Sequence, residues 1–138
     1  MIIADTNVVS EFMRDSPDRA VLAWAQGLGP ADLTICVVTV EEIERGLGRL
    51  PAGRRRADLE QRWSRLVDTF AEAVAVYDLP AARQTAEILV TAEASGRPMS
   101  LADAQIAGIC LAGRYELATR NISDFSATPG LTIVNPFE

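Results

Sequence analysis

The feature that most constrains this chain is a recurring pattern. Short apolar runs stop at polar or turn-forming residues and are separated by stretches with helical spacing. Ile2-Ile3-Ala4 ends at Asp5-Thr6-Asn7, and Leu33 to Val38 is apolar and β-branched. Val74 to Tyr77, Glu116 to Thr119 and Leu131 to Val134 complete the set of expected strands. Between them, a helical turn is expected over Val8–Met13, followed by a helix opened by Ser16-Pro17-Asp18, with the serine as cap and the proline at the first helical position. Thr39 opens a helix to about Leu50, and Pro51-Ala52-Gly53 breaks it. An amphipathic helix follows from Arg55 to Ala71, with Leu59, Trp63, Leu66, Val67 and Phe70 on one face. Asp78-Leu79-Pro80 starts a helix to about Ser95, and Ser100 caps another over Leu101–Ala112. Strands alternating with helices predict an α/β fold: three layers, α/β/α, around a mostly parallel sheet with right-handed crossovers. In such sheets, sites form beyond the carboxyl ends of the strands.

The length of 138 residues suits one domain spanning 1–138. No apolar run approaches the roughly 20 residues of a membrane span. The opening lacks the basic and long apolar regions of a secretory signal, so a cytoplasmic location is expected. Cys36 and Cys110 both fall in apolar segments and read as small buried hydrophobes rather than a disulfide.

Absent residue types narrow the chemistry. Without histidine there is no Ser-His-Asp or Cys-His catalysis and no histidine-liganded zinc. All 13 basic residues are arginine, which removes lysine Schiff bases and the lysine of a phosphate-binding P-loop. Two cysteines cannot build a structural zinc site alone. Carboxylates with an oxygen-liganded hard cation are the main chemistry left. The net charge of −6 is an awkward sign for a nucleic-acid binder. Arg49, Arg54, Arg55, Arg56, Arg62 and Arg65 nonetheless form a local basic stretch, which suits a solvated helix face or phosphate contact alike.

Asp5 is expected at the end of the first strand, and Glu42 and Asp103 in the first turns of their helices. Asn121 and Asp124 follow the strand that ends at Thr119. Strand ends and helix starts share one edge of a parallel sheet, so Asp5, Glu42, Asp103 and Asp124 should surround one pocket. Each has a plainer role available. Thr39-Val40-Glu41-Glu42 and Ser100-Leu101-Ala102-Asp103 both fit capping boxes; Asp5 suits a turn, and Asp124 an exposed loop. Their coincidence favours a shared purpose, because like charges at 4 Å repel by about 4 kcal/mol at an effective dielectric of 20. A magnesium or manganese ion would relieve that repulsion. It would also activate a water for phosphodiester hydrolysis without histidine.

These residues resemble a known family. Ile2-Ile3-Ala4-Asp5-Thr6-Asn7-Val8-Val9-Ser10-Glu11 is similar to the start of PIN-domain toxins of the VapC family, in its FitB-like branch. Thr39 to Gly46, Ser100 to Ala107, Thr119 to Phe125 and the closing Asn135-Pro136-Phe137 match further motifs in order along the chain. The resemblance implies a PIN-like fold in which Asp5, Glu42 and Asp103 surround Mg2+ or Mn2+, with Asp124 as the fourth acid. Asn121 is then a water-mediated or outer contact, and Thr6 and Thr119 are hydroxyl partners, although both also suit turn and strand-end hydrogen bonding. It further implies a metal-dependent endoribonuclease acting on an RNA such as tRNA or rRNA, a homodimer, and a cognate VapB-like antitoxin whose arginine approaches the acids.

Two other readings stand beside it. One is a non-catalytic PIN-like protein- or RNA-binding module whose acids only cap helices. The other is a metal-dependent phosphatase or phosphate receiver. It is disfavoured because Asn7 stands where a second aspartate belongs and because the chain has no lysine.

Overall fold

Ile3 and Ala4 are sealed from water, and the strand they form is paired on both sides. In the computed structural model, which describes Met1–Glu138, this strand is β1 (Ile2–Ala4). It is followed by α1 (Thr6–Glu11), α2 (Arg19–Gln26), β2 (Leu33–Thr34), α3 (Val37–Gly48) and α4 (Arg54–Phe70). Then come α5 (Leu79–Ala94), α6 (Leu101–Gly113), β3 (Glu116–Ala118), a short 3₁₀ helix (Ile122–Phe125) and β4 (Ile133–Val134). The sheet order is β2-β1-β3-β4 and every pairing is parallel. All four strands therefore end on one edge.

The pleat sorts the core into two layers. Ile3 and Leu117, opposite each other in the β1–β3 register, face Ala81, Ile88, Ile106 and Ile109 of α5 and α6. Their neighbours Ala4 and Ala118 face the other way, toward Val8, Val9, Val21, Ile43 and Trp63. This is the expected α/β/α sandwich. The α5–α6 contact is close because Gly108 has no side chain: a Cβ there would lie 2.1 Å from Thr85 Oγ1 and 2.8 Å from the Ala81 carbonyl oxygen. Both cysteines are buried and free, as expected. No helix is long and apolar enough to cross a membrane.

The structure corrects several local expectations. The second apolar run is a strand only over Leu33–Thr34, and α3 begins at Val37, with Cys36 rather than Thr39 at the cap position. Cys36 makes no side-chain capping bond; instead the Val37 N–H donates to the Ala75 carbonyl at 2.9 Å. A tertiary acceptor thus satisfies a helix-end donor that would otherwise need a polar cap. The same contact accounts for Val74–Tyr77, which forms one parallel bridge, Ala75 to Cys36, and no strand. At α2 the cap is Asp18, not Ser16: its carboxylate accepts from the Ala20 and Val21 amides at 2.8 and 3.3 Å. Buried Glu11 selects that start by accepting the Asp18 N–H at 2.9 Å.

Candidate metal-dependent active site

The β1–β3 register pairs Ala4 with Ala118, so the next residues out, Asp5 and Thr119, meet where the strands end. The Asp5 N–H continues the ladder to the Ala118 carbonyl at 2.8 Å. One Asp5 carboxylate oxygen, Oδ1, caps α1 by accepting the Thr6 N–H at 2.8 Å. The other, Oδ2, accepts the Thr119 hydroxyl at 2.8 Å and the Asn7 amide at 3.3 Å. Burial raises the Asp5 carboxyl above its ordinary value. The Thr119, Thr6 and Asn7 bonds oppose the shift, while the Glu42 charge adds to it. Asp5 is a buried acid with its donors already arranged for the charged form.

Asn7 carries more of this arrangement than its position in the sequence indicated. Its Nδ2 reaches Asp5 Oδ2 and Thr119 Oγ1, both at 3.3 Å, and its Oδ1 accepts the Arg120 N–H at 3.1 Å. It ties the end of β1 to the end of β3. The available signal was its place two residues after Asp5 in turn-forming sequence, but the partner strand was not visible there.

Glu42 is not where a capping box would put it. With α3 starting at Val37, it lies in the second turn, and Thr39 is inside the helix and buried. Glu42 Oε1 accepts the Thr6 hydroxyl at 2.9 Å, and Thr39 Oγ1 lies 3.5 Å from that hydroxyl. Glu42 therefore loses its capping explanation. Asp103 keeps half of its own: Ser100 Oγ accepts the Asp103 N–H at 3.1 Å. The half-buried Asp103 carboxyl is raised, first by burial and next by the charge of Asp5, with Asp124 and Glu42 contributing. The Ser100 hydroxyl opposes the shift.

Asp124 is exposed on the 3₁₀ helix. Asn121 is also exposed, and it engages through its backbone, whose N–H donates to Thr119 Oγ1 at 3.0 Å. The sequence places all four acids around one pocket; in the structure three of them are divided between two hollows. Glu42 and Thr6 line a cleft of about 620 Å³ with Arg14, Arg55 and Arg62. Asp103 and Asp124 line a hollow of about 510 Å³. Asp5 lines neither.

No ion pair reaches any of the four. The chain's salt bridges are Arg14–Glu11, Arg45–Glu41, Arg56–Glu60 and Arg62 with Asp15 and Asp58. Two arginines of the basic stretch, Arg56 and Arg62, are thus occupied, while Arg55 lies on the Glu42 cleft. The donor set is all oxygen, mutually repelling and without a basic partner, which suits a hard divalent cation. As placed, no three carboxylates or thiols converge enough to share an ion.

Comparison with known proteins agrees with this architecture. The PIN domain family model matches residues 2–131. The chain is 40% identical to "VapC ribonuclease Y4jK" of Sinorhizobium fredii, over 100% of this chain and 99% of that one. It is 36% identical, with the same coverage, to "Plasmid stability protein StbB" of Pseudomonas syringae pv. tomato. Among solved structures, FitAcB from Neisseria gonorrhoeae superposes with a TM-score of 0.92 at 31% identity, covering 100% of this chain and 99% of the other. A sheet whose parallel strands deliver Asp5 and its partners to one edge, together with these matches, makes this chain a member of the PIN-domain family, in the branch of the VapC and FitB toxins.

Proposed function

We propose that this protein is the toxin of a toxin–antitoxin pair, an endoribonuclease that hydrolyses RNA phosphodiester bonds with Mg2+ or Mn2+. The observation that carries the reading is that the charges of Asp5, Asp124 and Glu42 all act on the Asp103 carboxyl, with no arginine paired to any of the four. Their carboxylates would hold the cation, which supplies Lewis acidity and charge neutralisation at a scissile phosphate. The protein's own part is positional. Thr119, Asn7 and the Thr6 amide keep Asp5 oriented and favour its ionised form, and Thr6 aims Glu42 across from α3. RNA as substrate is supported by the relative named a VapC ribonuclease. A cytoplasmic location and a homodimer go with this reading. So does a basic-segment antitoxin: the solved gonococcal relative is the FitAcB structure, and arginine makes strong paired bonds with carboxylates.

One observation favours a second reading, a non-catalytic PIN-like binding module: the acids do not already converge on a common point. Glu42→Gln separates the two. The amide oxygen can still accept the Thr6 hydroxyl, so stability should stay within about 0.5 kcal/mol. Metal-dependent cleavage of total RNA should fall at least about 100-fold. Equal cleavage by both proteins would remove Glu42 from the site; no cleavage by either would favour the binding module.

A further inference from the structure

The hollow that holds Asp103 and Asp124 also contains a cation. Arg97 lines it, together with Ser100, Ser123 and Ser126. Although two carboxylates share the hollow, Arg97 forms an ion pair with neither. Its side chain is held instead by a neutral contact, Nη1 donating to Ser126 Oγ at 3.1 Å. That acceptor is itself oriented, because the Ser126 hydroxyl donates to the Ser123 carbonyl at 2.8 Å. The backbone is fixed too. Gly96, at φ 72°, turns the chain off the end of α5, and the Arg97 N–H returns to the Ala92 carbonyl at 2.9 Å. Only one of five guanidinium donors is thereby used.

At about 510 Å³, the hollow falls within the usual size range of small-molecule sites, and most of the residues lining it carry polar side chains. An exposed arginine with spare donors suits a phosphate contact, since the planar fork matches two phosphate oxygens. The adjoining acids would repel an RNA backbone entering here unless a fixed positive charge lay beside them. We infer that Arg97 is a substrate-positioning residue, seating an RNA phosphate next to the scissile one in the hollow between α6 and the 3₁₀ helix. This rests on the ribonuclease reading.

The test is filter binding of end-labelled total bacterial RNA in calcium across a range of salt. Manganese-dependent cleavage by the natural protein is measured in parallel. Arg97→Gln should weaken binding about 10-fold, as for loss of a charged hydrogen bond. It should also lower the slope of log affinity against log salt by about 0.7, one single-strand phosphate contact. Arg97→Lys should recover the slope but only part of the affinity, having the charge without the fork. Ser126→Ala, which cuts the tether and leaves the charge, should weaken binding less than about 3-fold, following the same logic. Arg97→Gln binding with natural affinity and slope would overturn the inference. So would a Ser126→Ala effect equal to that of Arg97→Gln, since Arg97 would then merely tie two loops together. If the natural protein binds RNA with the Arg97-dependent slope but leaves it uncut in manganese, the phosphate seat stands and the ribonuclease reading fails.

Discussion

Replacing Asp103 with asparagine should have opposite effects on stability with and without metal. Without a cation, the Asp103 carboxylate is half-buried and faces the charges of Asp5, Asp124 and Glu42. As an acid in the first turn of α6 it also gains roughly 0.3–1 kcal/mol from the helix dipole. Its carboxyl is nevertheless raised, so burial and like charges outweigh the dipole. The capping bond to Ser100 comes from the backbone amide and survives the substitution. Relief of partly screened like-charge contacts is worth up to about 1 kcal/mol, so the variant should gain no more than that at neutral pH in EDTA. That is at most about 3 °C in melting temperature for a chain of this length. The natural protein should approach the variant as pH falls. A carboxyl raised in the folded state binds protons more tightly there than when unfolded, so lowering pH through the folded value restores stability, and the gain is complete below the unfolded value. With manganese at about 100 times its dissociation constant, the natural protein should gain about 2.7 kcal/mol, roughly 8 °C, and the variant much less. Thermal melts of both proteins in EDTA and manganese supply the measurement. An asparagine variant that melts lower in EDTA and gains as much from manganese as the natural protein would show that Asp103 is an ordinary helix-terminal acid.

Two further substitutions test the scaffold around the site. Thr119→Val keeps the shape of a fully buried residue but removes the donor to Asp5 Oδ2 and the acceptor of the Asn121 N–H. It should cost about 1–3 kcal/mol in urea unfolding. It should also push the Asp5 carboxyl further up, so RNA cleavage fades at a higher pH on acidification than in the natural protein; an unmoved acid limb would count against Asp5 as the ionised acid. Gly108→Ala places a methyl 2.1 Å from Thr85 Oγ1 and 2.8 Å from the Ala81 carbonyl oxygen, and should cost about 1–3 kcal/mol. Adding Thr85→Ala should recover only part of that loss, because the backbone oxygen remains; full recovery would mean that the helices simply move apart.

Much of this protein is determined locally. The alternation of apolar runs with helix-patterned segments specifies the α/β class, and Asp78 and Ser100 cap α5 and α6 as their positions predict. Such features are decided within a few residues, where helix-end donors find the nearest oxygen. The absence of histidine and lysine likewise leaves carboxylates as the main chemistry before any coordinate is known. Tertiary structure decided the rest. The cap of α3 is a carbonyl from Ala75, distant in the chain, so the Thr39–Glu42 capping pattern does not form and Glu42 is free to meet Thr6. The role of Asn7 exists only because β3 lies beside β1 and brings Thr119 and Arg120 within its reach. A sequence places a carboxylate at the end of an element; the register of strands far apart in the chain determines which oxygen it faces.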